Sequence, residues 1–207
     1  PLIIPDHWRL LEKAVESGYA GNISLNYATN GTVWPKEKYI EIWKHFKHIE
    51  LMVSIDSIIP EENEYQRHYT DHAQVIKNFD RYIELSKDCL PMKIVVRPTI
   101  TIYNVYHLPE LTEYLAGKDV KFNATHLTYP SHQRVTVLPQ KYKDLINKKF
   151  DNFKFSSERG EKDCRYIQYY MNSTDDSHLW EKFLHHTDFL DRSRGQNFKE
   201  TYHYFDF

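Results

Sequence analysis

The stretch from Asn22 to Ser57 constrains this chain more than any other, because two alternating segments flank a helical one. In NISLNYATNGT, Ile23, Leu25 and Tyr27 alternate with Ser24, Asn26 and Ala28, which is the period of a strand with two distinct faces. Thr29, Asn30, Gly31 and Thr32 end it with residues that tolerate a turn and carry hydroxyl and amide groups. In the second segment Ile49, Leu51, Val53 and Ile55 alternate with Glu50, Met52, Ser54 and Asp56. Between the two, Pro35 suits a first helical turn, and Tyr39, Ile42, Trp43 and Phe46 share one apolar helix face. Strand, helix, strand predicts parallel strands with their C-terminal ends on one rim, where ligands bind in such sheets.

The flanking chain extends this pattern. Pro5 and Asp6 open a helix with a stripe of Trp8, Leu11 and Val15, and Gly18 is placed to end it. An α/β chain normally begins on a strand; a helix first, and Pro in place of Met at position 1, predict a processed chain or a fragment. After Asp56, Ile59 to Asp71 reads as a polar loop in which Glu61, Glu62 and Glu64 are solvated. Asp71 can cap a helix with the face Val75, Ile76, Phe79, Tyr82 and Ile83. Lys93 to Ile102 reads as a third strand with an irregularity at Pro98, and Tyr103 and Asn104 form its rim. Leu108, Leu111 and Leu115 mark a short helix ending near Gly117. Val120 to Thr125 reads as a fourth strand, and Arg134 to Val137 as a further short one.

From Pro139 the texture changes. Tyr142, Leu145 and Ile146 predict a helix, Asn152 to Asp163 a polar loop, and Ser177 to Arg192 a last helix carrying Leu179, Phe183, Leu184 and Leu190. Tyr166, Tyr169 and Tyr170 read as core packing of a helix. The expected fold is therefore α/β, with at least four parallel strands in sequential order and helices outside, over residues 1–139. A helical extension would follow over residues 140–207.

Composition narrows the function. The chain of 207 residues has a net charge of −2, which gives no electrostatic case for nucleic acid, and no window nears the roughly 18 apolar residues of a membrane span. Its 6 glycines argue against a glycine-rich nucleotide loop. Two cysteines, Cys89 and Cys164, are too few for a disulfide framework and predict a reduced, cytoplasmic setting. Among the 12 histidines, pairs such as His126 with His132 or His185 with His186 are expected by chance, and no metal ligands are assigned to them.

The order helix, NISLNYATNGT, helix, ELMVSIDS, helix, KIVVRPTITIYNVYHLPEL resembles the radical S-adenosylmethionine (SAM) proteins, in particular small members with a twitch-type C-terminal extension. Pro1, followed by LIIPDHWRLL, is similar to the end of that family's Gly-Gly-Glu-Pro motif, and the tail LDRSRGQN to its C-terminal ending. The resemblance implies a partial (β/α) barrel over residues 1–139 and cleavage of SAM at a 4Fe–4S cluster, giving a 5′-deoxyadenosyl radical that abstracts a substrate hydrogen. It implies SAM-binding roles for Thr29 and Asn30 at the Thr-Asn-Gly positions and for Ser54 and Asp56 at the Ser-Leu-Asp-type motif. Arg67, and Asn104 near the adenine, are carried over in the same way. A small-molecule or peptide substrate and an electron donor such as flavodoxin or ferredoxin are the implied partners.

The family's Cys-x3-Cys-x2-Cys loop is not in this sequence, and neither Cys89 nor Cys164 can replace it. The expectation is the C-terminal part of a radical SAM enzyme, which holds the SAM rim while the cluster ligands lie in a missing N-terminal segment. Its rival is a non-catalytic α/β module that keeps the rim as a ligand site.

Overall fold

A computed structural model describes residues 2–88, 91–118 and 120–206. In chain order the first elements are α1 (Pro5–Glu16), β1 (Ser24–Thr29), α2 (Glu37–Trp43), β2 (His48–Val53), α3 (Pro60–Gln66) and α4 (His72–Asp88). Then come β3 (Met92–Val96), β4 (Thr99–Ile100), α5 (Leu108–Ala116), β5 (Lys121–Phe122) and β6 (Thr125–His126). The chain ends in α6 (Gln140–Asn152), α7 (Glu158–Ser173), α8 (Trp180–Arg194) and α9 (Phe198–Thr201). Pro1, expected to end a Gly-Gly-Glu-Pro motif, and Cys89 lie outside the described residues.

These elements form two compact units. The first is drawn from Pro1–Ile55, Thr70–Arg97 and Lys118–Phe122, the second from Asp56–Tyr69, Pro98–Gly117 and Asn123–Phe207.

The first unit carries a four-stranded sheet in the order β1-β2-β3-β5 with every pairing parallel, as the alternation of strands and helices predicts. Tyr27 lies opposite Leu51 and Leu51 opposite Ile94, so these three share a face. Helices cover that face: the Tyr27 hydroxyl accepts a hydrogen bond from Trp43 Nε1 on α2 (3.2 Å) and is bonded to His7 Nε2 on α1 (2.9 Å). Trp8 stacks on Tyr39 with ring centroids 3.9 Å apart, which locks α1 to α2. The opposite face carries exposed Ser24, Asn26, Ala28 and Lys93 beside half-buried His48, Glu50 and Met52. One face is thus packed and one is polar, which is why β1 and β2 alternate so cleanly in sequence. α2 begins only at Glu37, two residues after Pro35, and buries Ile40 together with Trp43. Asp71 caps α4 as expected, accepting from Gln74 N (3.0 Å).

The third expected strand is two. β3 ends at Val96, and beyond Arg97 and Pro98 the short β4 belongs to the second unit, where it pairs in parallel with β6. Pro98 has no N–H to continue the ladder. The expected strand Val120 to Thr125 divides at the same place, into β5 and β6.

The second unit differs from the sequence reading in four further places. Pro60 to Gln66 is a helix rather than a loop: Pro60 sits in its first turn, Glu61 and Glu62 favour its positive end, and it buries Glu62, Asn63 and Tyr65. Val135–Val137 is a 3-10 turn, not a strand. The polar segment after α6 is only five residues long, because Ser157 caps α7 by accepting from Gly160 N (3.3 Å). The tyrosines of α7 are not core: Tyr166 is 48% and Tyr169 75% exposed, while Cys164, Ile167 and Met171 supply the buried stripe. The core of this unit is instead a cluster of Tyr65, Tyr103, Phe183, Phe198 and Tyr202. Among the described residues no helix is long and apolar enough to cross a membrane.

Candidate functional site

In the first unit the ends of β1 and β2 are tied by the Ser54 N–H donating to the Thr29 carbonyl (2.9 Å). Thr29, Asn30 and Ser54 therefore share one rim, as the sequence predicts. The turn after β1 is anchored from beneath, where buried Asn78 on α4 donates to the Gly31 carbonyl (2.7 Å) and Tyr82 donates to the Val33 carbonyl (3.0 Å). Thr29 Oγ1 accepts from Gly31 N (3.2 Å), and the Asn30 side-chain oxygen accepts from the Thr32 hydroxyl (2.9 Å). The Ser54 hydroxyl, half-buried, has no hydrogen-bond partner among the described residues. Thr29 pairs with Val53, so by the pleat it faces the helix-covered side while Ser54 faces the other. The two hydroxyls thus reach the rim from opposite sides of the sheet.

In the second unit, Asp56, Arg67 and Asn104 come together. Arg67 Nη2 lies 2.8 Å from Asp56 Oδ2, and the Asp56 side chain is 13% exposed. Burial raises the Asp56 carboxyl above its usual range, and the Arg67 charge opposes that rise. Asn104 is a brace: its oxygen accepts from Thr101 N (2.8 Å), and its amide donates to the carbonyls of Asp56 (3.2 Å) and Thr99 (3.1 Å). With both ends of its amide committed, Asn104 shapes the site from within.

Asp56 opens into a cavity of about 330 Å³ lined by Tyr65, Gln66, Thr99, Thr101, Tyr103, Leu127, Gln133, Leu190 and Arg194. Tyr65 donates to Asp191 Oδ1 (2.7 Å), and the Tyr103 hydroxyl is bonded to Thr187 Oγ1 (2.8 Å), so both rings are fixed walls. Desolvation pushes the Tyr103 hydroxyl up to about 12, and Tyr65 higher, so both phenols stay neutral. A concave site of this size with a few convergent polar groups suits a small molecule.

Sequence reasoning missed a second polar group. Glu62, fully buried, accepts from Ser57 Oγ (2.7 Å) on one oxygen and from His107 Nδ1 (2.6 Å) and Tyr204 OH (2.8 Å) on the other. Two of these donors lie 45 and 142 residues away in sequence, so no local signal marks the acid as buried. Arg194, within the tail motif LDRSRGQN, is a further polar group of the cavity that no local signal marks.

The site fits a cluster poorly. Among the described residues no group of three His, Cys, Asp or Glu could hold a metal ion, and burial pushes the Cys164 thiol up to about 12, against the thiolate that iron needs. No family model matches the chain, and no curated protein matches it either.

Proposed function

We propose that the rim of Thr29, Asn30 and Ser54 binds the polar parts of SAM, and that the chain is part of a radical SAM enzyme whose parallel sheet is a barrel segment. The observation that supports this best is the sequential parallel order β1-β2-β3-β5 with Thr29 and Ser54 tied at one rim. Ser54 keeps an uncommitted hydroxyl there, which suits an amino acid or ribose better than an apolar ligand. The described residues do not fit a 4Fe–4S cluster, so no step of SAM cleavage is assigned to them. The second reading is a module that binds a ligand at the same rim without radical chemistry.

Equilibrium dialysis with labelled SAM tests the shared part of both. Saturable binding is expected, weakened in Ser54→Ala by roughly 1 to 3 kcal/mol, the range for a lost hydrogen bond to a charged group of the ligand. Binding that is absent, or equally tight in Ser54→Ala, would return the rim to a purely structural role.

A further inference from the structure

Arg194 stands apart from the other arginines of its unit. Arg134, Arg165 and Arg192 each lie within ion-pair distance of a carboxylate, at Asp176, Asp151 and Asp188. Arg194, half-buried in the last turn of α8, makes no hydrogen bond or ion pair among the described residues, yet it lines the cavity that Asp56 opens into. Asp56 is already matched by Arg67, and Asp191, which accepts from Tyr65 and from Phe198 N, forms no ion pair with Arg194 among the described residues. A half-buried guanidinium whose fork holds no carboxylate gains when an oxyanion fills it.

Two other donors of the lining are uncommitted. The Gln133 side-chain amide and the Thr99 hydroxyl have no partner among the described residues, whereas Gln66 donates to the Glu62 carbonyl (3.2 Å). The remaining lining, Leu127, Leu190 and the rings of Tyr65 and Tyr103, is apolar or aromatic. We propose that this cavity binds a small organic anion, its carboxylate or phosphate held by Arg194 with Gln133 and Thr99, and its apolar body against Leu127, Leu190 and the two tyrosines. The assignment goes beyond the SAM reading: it concerns the cavity of the second unit and rests on Arg194.

Benzoate, phenyl phosphate and neutral benzamide are the probes, because they share a ring and differ in the group offered to Arg194. With the chain labelled in nitrogen-15, the arginine Nε–H signal that is absent in Arg194→Gln should shift saturably with benzoate or with phenyl phosphate. The tighter of the two identifies the anion as carboxylate or phosphate. Benzamide should bind at least tenfold more weakly than that anion. Arg194→Gln should lose at least tenfold in affinity, and Arg194→Lys should lose less, since it keeps the charge but not the fork. Unchanged circular dichroism and melting of both variants would exclude unfolding as the cause. Failure of both anions to bind saturably, equal affinity for benzamide, or undiminished binding by Arg194→Gln would overturn the assignment. The probes carry neither adenosine nor sulfonium, so SAM dialysis on the same variants separates failure of this site from failure of the SAM reading.

Discussion

Glu62 holds three donors on one carboxylate with no exposure to water, and that arrangement joins three separate stretches of its unit. Ser57 precedes α3, His107 sits just before α5, and Tyr204 belongs to the C-terminal tail. Tyr204 also stacks on Tyr106 at 4.0 Å between ring centroids, and Lys149 lies over Tyr106 while pairing with Glu110 (2.7 Å). Truncating the carboxylate leaves Ser57, His107 and Tyr204 without their acceptor in a dry site, the costly way to break a buried polar network. Glu62→Ala is therefore expected to lose about 3 kcal/mol or more in urea unfolding. Tyr204→Phe, which removes one donor and keeps the ring stack, should lose about 1 kcal/mol. A Glu62→Ala loss no larger than that of Tyr204→Phe would mean that the carboxylate is not the centre of the network.

Among the elements, the turn after β1 shows how tightly the rim is built. Gly31 has φ +75°, and a Cβ there would stand 3.1 Å from Val75 Cγ1 on α4 and 3.2 Å from Val53 Cγ1 on β2. Gly18, after α1, has φ +77° with open space around it. Both alanine variants incur the left-handed backbone penalty of about 1 to 2 kcal/mol, but Gly31→Ala adds crowding against two β-branched side chains, typically another 1 to 3 kcal/mol. Gly31→Ala should thus be the more destabilising of the two in thermal melts, and a reversed order would show that the rim yields. This turn was legible in sequence because Thr29, Asn30, Gly31 and Thr32 break a strict alternation, and the break at Pro98 was legible because proline cannot donate to a ladder. The helix α3 was not, since its Glu and Asn residues read as solvent-facing until Tyr65, Ser57 and His107 enclose them. Nor was the division of Val120 to Thr125: β5 and β6 pair with strands of different units, and pairing partners leave no mark on a six-residue run of sequence.

For the whole chain, the decisive count is of thiols. A site-differentiated 4Fe–4S cluster needs three clustered thiolates, and the sequence contains two cysteines separated by 74 intervening residues. One of them, Cys164, is buried on α7 with its sulfur 3.9 Å from the Thr112 hydroxyl, and desolvation holds it as a thiol. Its raised folded-state value lies above the unfolded value of 9, so the stability that the neutral thiol contributes is lost as pH rises from 9 through about 12. Recruiting Cys164 to iron would also empty a buried position between α5 and α7, a cost of the kind seen when a core side chain is withdrawn. The 207-residue chain, reconstituted anaerobically with iron and sulfide and then desalted, is accordingly expected to hold much less than one 4Fe–4S cluster per chain and to leave SAM uncleaved. Iron and sulfide analysis with electron paramagnetic resonance of the reduced sample measures both the amount and the type. Four irons and four sulfides per monomer, with Cys164 protected from alkylation in the folded state only when the cluster is present, would refute the expectation and place Cys164 among the ligands.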